Sequence, residues 1–257
     1  MRENRVKTIW KNGGVVLAGG VNLDSPYLAE LIAHQGFDAI IVDTQHAPLD
    51  YKGMLANLQA ISTTQAIPIV RVGWNHPPLI MQVLDAGAYG VICPMVNSRA
   101  DCEAFVAACY YAPKGYRSWG PIRGTLYGGP DYFEHANDTV LPMIQIETIQ
   151  AVERLDEILS VQGLGGIYFG PGDMSITLGL HPQKSYGDPK LLEVVEKTMK
   201  ACRKHNVLAG IMTPNAQFAK QAIGWGAQLV TPGSDIGFVR TGAQTALAEF
   251  RSFAPIT

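Results

Sequence analysis

Short apolar runs alternate along the chain with segments in which apolar residues recur at helical spacing. Eight of these runs predict strands, because uninterrupted apolar runs are typical of strands that a parallel sheet buries on both faces. The predicted strands cover residues 15–20, 39–43, 67–71, 90–94, 141–147, 166–170, 208–212 and 228–232. The intervening segments predict helices at 25–34, 51–61, 78–84, 100–109, 149–159, 190–205 and 217–223, with a final helix from about 236 to 250.

The strict alternation of strand and helix predicts a parallel barrel. Each return to a parallel strand needs a crossover, which a helix supplies. Eight such units in 257 residues favour a closed (β/α)8 TIM barrel over an open doubly wound sheet. No GxGxxG sequence follows the first strand, so a dinucleotide-binding fold loses its main support. No linker or charge block divides the chain, and we expect one α/β domain over residues 1–257.

The composition excludes several classes of function. The formal net charge of -2 and the lack of a basic run argue against a nucleic-acid partner. No apolar stretch approaches the roughly 20 residues that a membrane helix needs, and the N-terminal residues do not form a signal peptide. The four cysteines have no CxxC spacing, which favours free thiols in a reducing cytoplasm. We therefore expect a cytoplasmic protein.

One connection, residues 110–137, is unusually long and rich in aromatic residues. It includes Tyr111, Tyr116, Trp119 and Tyr127 among glycines and prolines. Loops of this length are usually active-site lids, binding loops or oligomer contacts. An irregular surface excursion is the alternative.

Two acidic residues stand where apolar runs end. Glu147 closes the fifth predicted strand, and Asp173 follows the sixth. The carboxyl ends of barrel strands build the active sites of TIM barrels, so we expect both side chains at the barrel mouth. Two carboxylates with open positions suit a hard divalent cation such as Mg²⁺ or Mn²⁺. Such a metal can act as a Lewis acid on a 2-oxo acid and stabilise its enolate.

Other polar residues also follow strand ends and join the candidate site. Arg71 ends the third strand and adds positive charge where an enolate oxygen develops. His46 follows the second strand, with Asp43 and Gln45, and has a pKa range suited to proton transfer. His46 needs an orienting acid. Asp85, at a helix end, is a candidate only if it reaches the barrel mouth.

The chain resembles the HpcH/HpaI aldolase/citrate lyase family, and within it the class II pyruvate aldolases typified by 4-hydroxy-2-oxoheptanedioate aldolase. The resemblance covers almost the whole chain. It is carried by Gly36-Phe37-Asp38, Asp43-Thr44-Gln45-His46-Ala47-Pro48, Val70-Arg71, Leu84-Asp85-Ala86-Gly87, Pro94-Met95-Val96, Gln145-Ile146-Glu147-Thr148 and Phe169-Gly170-Pro171-Gly172-Asp173-Met174-Ser175.

The resemblance implies a TIM barrel with a divalent metal on Glu147 and Asp173, either Mg²⁺ or Mn²⁺, with Co²⁺ as a further candidate. It implies substrate contacts from Arg71, Gln145, Asp173 and the backbone near Gly172, and an acid–base dyad of His46 and Asp85 that acts through water. It also implies a homo-oligomer, a hexamer in which C-terminal helices pack on neighbouring subunits.

One departure from the family pattern lies beside the histidine. Gln45 stands where better-known members have an acid, and Thr44 replaces a glycine. An amide can donate as well as accept hydrogen bonds, and the change removes one negative charge. The aromatic segment with Lys114, Tyr116 and Trp119 also resembles macrophomate synthase, a relative that works through the same enolate.

The expected function is reversible cleavage of a 4-hydroxy-2-oxo acid to pyruvate, or a related 2-oxo acid, and an aldehyde. An oxaloacetate decarboxylase or a macrophomate-synthase-like enzyme is the alternative. A citryl- or malyl-CoA lyase has no visible basic site for the CoA phosphates. A non-catalytic barrel that binds 2-oxo acids is a further alternative because of Gln45. Schiff-base catalysis is disfavoured, since no lysine lies at a strand end.

Overall fold

The computed structural model describes residues 1–253 and contains a closed barrel of eight parallel strands. Neighbouring strands are consecutive in sequence, and β1 also pairs with β8. The (β/α)8 prediction is confirmed. The strands are β1 (Val16–Val21), β2 (Ala39–Asp43), β3 (Ile67–Arg71), β4 (Gly90–Cys93), β5 (Leu141–Ile146), β6 (Gly166–Phe169), β7 (Leu208–Met212) and β8 (Leu229–Thr231).

Helices surround the barrel. They are α1 (Arg5–Lys11), α2 (Pro26–Ala33), α3 (Tyr51–Ile61), α4 (Pro77–Asp85), α5 (Arg99–Cys109), α6 (Ile122–Gly128), α7 (Tyr132–Thr139), α8 (Ile149–Glu153), α9 (Leu155–Leu159), α10 (Pro171–Thr177), α11 (Pro189–His205), α12 (Ala216–Trp225) and α13 (Asp235–Phe253). The helix predicted at 149–159 is interrupted at Arg154, and α1, α6, α7 and α10 were not predicted. Several helices begin at side chains that accept a backbone N–H: Ser25, Asp50, Ser98, Thr148 and Asn215.

Two apolar cores stabilise the barrel. The larger one lies between the strands and the surrounding helices and includes Leu58, Phe105 and Phe169. The second fills the barrel interior toward the amino ends of the strands, where Tyr89 and Tyr132 are fully buried. Because that end is filled, the open space in the barrel lies at the carboxyl ends of the strands, as the fold requires for a site.

The long aromatic connection is not a lid over this chain's own barrel mouth. It joins α5 to β5, so it crosses the amino ends of the strands, and it contains α6 and α7. Trp119 and Phe133 pack edge to face there, with ring centroids 5.0 Å apart, and both remain exposed. A binding surface or an oligomer contact remains as the prediction for this segment.

The last helix, α13, extends the predicted 236–250 segment in both directions. Its first residue, Asp235, is fully buried and accepts the backbone N–H groups of Asn22 and Leu23, at 3.0 and 2.9 Å. Phe238 is half-buried and stacks on Phe37, whereas five other large apolar residues of α13 are exposed: Ile236, Val239, Leu247, Phe250 and Phe253. Within residues 1–253, no helix has the length and apolar character that a membrane crossing demands.

Candidate active site

A cavity of about 400 Å³ opens at the carboxyl ends of the strands. Residues of the cavity wall come from seven of the eight strands, either from the strand itself or from the turn directly after it. Most of the predicted site residues line it, including His46, Arg71, Gln145, Gly172 and Asp173.

Arg71 and Asp43 form a paired arginine and carboxylate in the cavity wall. They end β3 and β2 and are direct partners in the strand register. Arg71 donates from Nε to Oδ1 at 2.9 Å and from Nη2 to Oδ2 at 2.6 Å. The Asp43 side chain is only 4% exposed and that of Arg71 19%. Burial alone would raise the pKa of Asp43, but its hydrogen bonds and the Arg71 charge hold it below the usual value.

Asp43 also organises the turn that carries His46. Its Oδ1 accepts the backbone N–H of Gln45 at 2.9 Å, and its Oδ2 accepts Nδ2 of Asn22 at 3.1 Å. His46 is exposed and lines the cavity. The Oε1 atom of Gln45 is buried and has no hydrogen-bond partner within residues 1–253. Sequence reasoning missed the organising role of Asp43 and the contribution of Asn22.

Glu147 is buried immediately after β5, and two donors fix its carboxylate. Oε1 accepts the backbone N–H of Met95 at 2.7 Å, and Oε2 accepts Nε2 of Gln145. Met95 has φ of 55°, in the left-handed region, which is uncommon for a residue other than glycine. Burial raises the pKa of Glu147, the donors lower it, and the negative charge of Asp173 raises it further.

Asp173 lies in the first turn of α10 and is exposed to the cavity. Gly170 lies between the two acids and allows the close approach of β5. A Cβ atom at Gly170 would lie 2.9 Å from Nε2 of Gln145 and 2.9 Å from Oε2 of Glu147. The sequence signal for this role is the Gly-Pro-Gly-Asp turn, which places glycine next to a candidate ligand.

Glu147 and Asp173 fit a hard divalent cation. Their carboxylates interact electrostatically, and Oε1 of Gln145 is a buried oxygen without a hydrogen-bond partner in the described chain. Carboxylate and amide oxygens are suitable ligands for such an ion. Across residues 1–253 no group of three or more His, Cys, Asp or Glu side chains is placed to hold a metal. A cation on this acidic pair would therefore keep coordination positions for water or substrate.

Asp85 lies at the opposite end of the barrel from His46. It ends α4 just before β4 begins, and its Oδ1 accepts Nη2 of Arg117 at 2.8 Å. The Arg117 side chain is fully buried, donates to the Tyr132 hydroxyl at 3.1 Å and stacks on the Tyr111 ring. One chain therefore does not bring Asp85 to His46, and the dyad stays a prediction.

Gly20, near the end of β1, lies against the segment that precedes α13. Gly20 forms a bridge with Ser234, and a Cβ atom at Gly20 would lie 2.8 Å from the Cβ of Ser234. The absence of a side chain at Gly20 therefore permits the close approach of β1 to the segment before α13. After β7, Asn215 caps α12, because its side-chain oxygen accepts the backbone N–H of Phe218 at 2.9 Å.

A closed parallel barrel with two acids, an arginine and a histidine at its mouth defines a TIM-barrel enzyme site. The chain belongs to the HpcH/HpaI aldolase/citrate lyase family, whose sequence profile matches residues 21–241. The predictions of this family and of a carbon–carbon lyase are confirmed.

Three proteins illustrate the similarity. The chain is 35% identical over 249 residues to a hydroxypyruvate/pyruvate aldolase of Rhizorhabdus wittichii, covering 97% of this chain and 99% of the other. It is 34% identical over 251 residues to a 4-hydroxy-2-oxo-heptane-1,7-dioate aldolase of Escherichia coli, covering 96% and 95%. The crystal structure of a family member from Burkholderia cenocepacia superposes with a TM-score of 0.89 at 26% identity, covering 96% and 99%.

Proposed function

We propose that the protein is a metal-dependent aldolase that reversibly cleaves a 4-hydroxy-2-oxo acid to pyruvate, or a related 2-oxo acid, and an aldehyde. The observation that carries the proposal is that Asp173 and the Arg71–Asp43 pair line one cavity, with the buried Glu147 close enough for its carboxylate to interact with the charges of Asp173 and Arg71. The activities named for the Rhizorhabdus and Escherichia relatives support the same reaction class.

Each residue has a defined task in this proposal. Glu147 and Asp173 hold Mg²⁺, Mn²⁺ or Co²⁺, which when bound supplies Lewis acidity toward the 2-oxo group. Arg71 is held by both oxygens of Asp43, so its charge is directed before substrate arrives. Gln145 and the backbone near Gly172 line the cavity where the 2-oxo acid binds.

The cleavage itself needs one base and one proton donor. His46, acting through water, takes the proton of the C4 hydroxyl. The C3–C4 bond then breaks, its electron pair passes into the 2-oxo group as an enolate, and the aldehyde leaves. Protonation of C3 completes the 2-oxo acid. The neutral imidazole accepts the first proton, and the imidazolium so formed can return it through water to C3.

Chelation and metal return test the proposal. Exchange of the pyruvate methyl protons for deuterium reports enolate formation and can be followed by mass spectrometry. Protein treated with EDTA should lose exchange and regain it with Mg²⁺, Mn²⁺ or Co²⁺, while Glu147→Gln should stay inactive with every metal. Glu103→Gln, at an exposed acid paired with Arg99, is the matched control. Undiminished exchange in the chelated protein would contradict the metal requirement.

We also propose that the functional form is a cytoplasmic homo-oligomer, with six copies as the expected number. The exposed apolar residues of α13 have little of their own barrel to pack on, and such a face needs a cover. A His46–Asp85 dyad also requires Asp85 from a second copy, because the two lie at opposite barrel ends in one chain. Analytical ultracentrifugation should show six chains, and a monomer would contradict this proposal.

Mixed assemblies test the shared dyad directly. His46→Ala and Asp85→Asn are each expected to be inactive. When the two variants are unfolded together in equal amounts and reassembled, about one quarter of the sites should combine both native residues if pairing is between copies. Recovered activity would support the shared site. Mixed assemblies without activity would show that Asp85 does not serve a neighbour's histidine.

A further inference from the structure

Arg117 is a fully buried arginine that contacts a partly exposed carboxylate. Its Nη2 donates to Oδ1 of Asp85 at 2.8 Å, and the side-chain exposure is 0% for Arg117 and 27% for Asp85. Arg117 uses only Oδ1, and Oδ2 of Asp85 has no donor among residues 1–253. The ion pair therefore fixes one carboxylate oxygen from inside the protein and leaves the other for a partner at the surface.

The backbone and the side chain of Arg117 are both held in place. Its backbone N–H donates to the carbonyl of Tyr110 at 2.9 Å, directly after α5. Its Nη1 donates to the Tyr132 hydroxyl at 3.1 Å, and its guanidinium carbon lies 4.5 Å from the centroid of the Tyr111 ring. These contacts lie within one chain, so the guanidinium is oriented before a second subunit is present.

A buried guanidinium is unfavourable for stability unless its charge is used. Nε of Arg117 has no hydrogen-bond partner in the described chain, so one buried N–H stays unsatisfied. Burial alone would lower the pKa of Arg117, but the Tyr132 phenol and Asp85 hold it above its usual value, and the side chain stays charged. Apolar side chains of similar volume often replace a buried ion pair without loss of stability. The retained charge therefore indicates a role at Asp85 other than packing.

We propose that Arg117 is a positioning residue for catalysis, which directs Oδ2 of Asp85 at His46 of a second copy of the chain. The histidine N–H then donates to a carboxylate of fixed orientation, which sets the tautomer and the direction of the imidazole. The other ring nitrogen is left to accept the C4 hydroxyl proton through water. This role rests on the proposed His46–Asp85 dyad between copies.

Arg117→Met tests the role, because methionine fills the space without the charge. In metal-loaded enzyme, kcat for exchange of the pyruvate methyl protons should fall at least tenfold, since loss of the outer partner of a catalytic group costs about 10- to 100-fold in activity. The KM for pyruvate and the metal requirement should stay those of the wild type. Arg123→Met is the matched control, because Arg123 donates to the carbonyls of Ala86 and Leu58 at the same helix end without a hydrogen bond to Asp85. The control should keep the wild-type kcat.

Mixed assemblies assign the defect to one side of the shared dyad. When Arg117→Met is reassembled with His46→Ala in equal amounts, about one quarter of the sites should combine native His46 with a positioned Asp85. Reassembly with Asp85→Asn should restore none, because neither chain then offers a positioned carboxylate. A general loss of packing in the Arg117 variant would not separate the two mixtures. Arg117→Lys, which keeps the charge, should show the same pattern with a smaller loss and replaces the methionine variant if that chain does not assemble.

Three results would overturn the role of Arg117. They are a loss of kcat in Arg117→Met no larger than in Arg123→Met, a change in KM or metal requirement in place of the loss of kcat, and equal recovery of activity in the mixtures with Asp85→Asn and with His46→Ala. Failure of His46→Ala and Asp85→Asn to restore each other would overturn the shared dyad itself, and the role of Arg117 with it.

Discussion

Replacement of Asp43 by asparagine should damage both stability and catalysis. The substitution keeps the size of the side chain but removes the charge that faces the guanidinium of Arg71 at 2.6 and 2.9 Å. Loss of one partner from a buried ion pair costs about 3 to 5 kcal/mol, because the other charge stays buried and unpaired. Asparagine retains one acceptor and Arg71 is partly exposed, so we expect a loss of about 3 kcal/mol, the lower end of that range.

Urea denaturation at pH 7 and fixed protein concentration measures this loss from the shift in midpoint. Asp138→Asn is the control, because Asp138 pairs with Lys114 at a similar distance, 2.9 Å, but both side chains are more than half exposed. Exposed pairs contribute at most about 1 kcal/mol, so the control should change little. The Asp43 variant should also lose catalysis by about 100-fold, since Arg71 is no longer directed at the enolate oxygen.

A loss no larger than that of Asp138→Asn would refute the interpretation of Asp43 as the buried partner of Arg71. Full activity in a destabilised Asp43→Asn variant would separate the two roles. It would show that the pair supports the fold without orienting the catalytic charge.

Three further predictions follow from the site and the core. The stability difference between wild type and Asp43→Asn should be full above the ordinary carboxyl pKa of about 3.9 and shrink as the pH falls through the lowered pKa of Asp43; a constant difference in urea titrations from pH 7 to 3 would contradict this. Gly170→Ala places a Cβ atom 2.9 Å from side-chain atoms of Gln145 and Glu147, so metal-dependent exchange of the pyruvate methyl protons should decline at least tenfold while the circular dichroism spectrum is retained. Unchanged proton exchange would show that the turn accommodates the added methyl group without displacing either side chain. All four cysteines are buried, and burial raises the pKa of Cys102 and Cys202 to about 12. A thiol reagent should therefore label no cysteine in the native protein and four in denaturant. Rapid labelling of the native protein would contradict the burial of these side chains in the core.

The fold could be predicted from the sequence because each strand is a local apolar run and each crossover has helical spacing. The same local signals predicted α13 almost to its ends. The connection at 110–137 was harder, because α6 and α7 are short and Gly-rich segments carry little periodicity. Its place in the chain, after a helix and before a strand, was the available sign that it crosses the amino ends of the barrel.

The candidate site was predicted where single residues end strands, as with Arg71 and Glu147. The site residues were not predicted where their place in the cavity depends on which face of a strand points into the barrel. Tyr168 lies within the apolar run 166–170, which contains no alternation to mark its orientation. The Asp85–Arg117 pair was also missed, because the two residues are 32 positions apart and no local pattern connects them.

Substitutions at Met95 have little effect on the hydrogen bond that holds the buried carboxylate of Glu147, because the donor belongs to the backbone. The donor that fixes Oε1 of Glu147 is an amide N–H rather than a side chain. Nearly every codon change at position 95 keeps that donor, and only proline removes it. Substitutions can instead disturb the left-handed backbone conformation at position 95, which glycine adopts most readily. Drift at this position would therefore alter the rigidity of the turn before it altered the chemistry of the carboxylate.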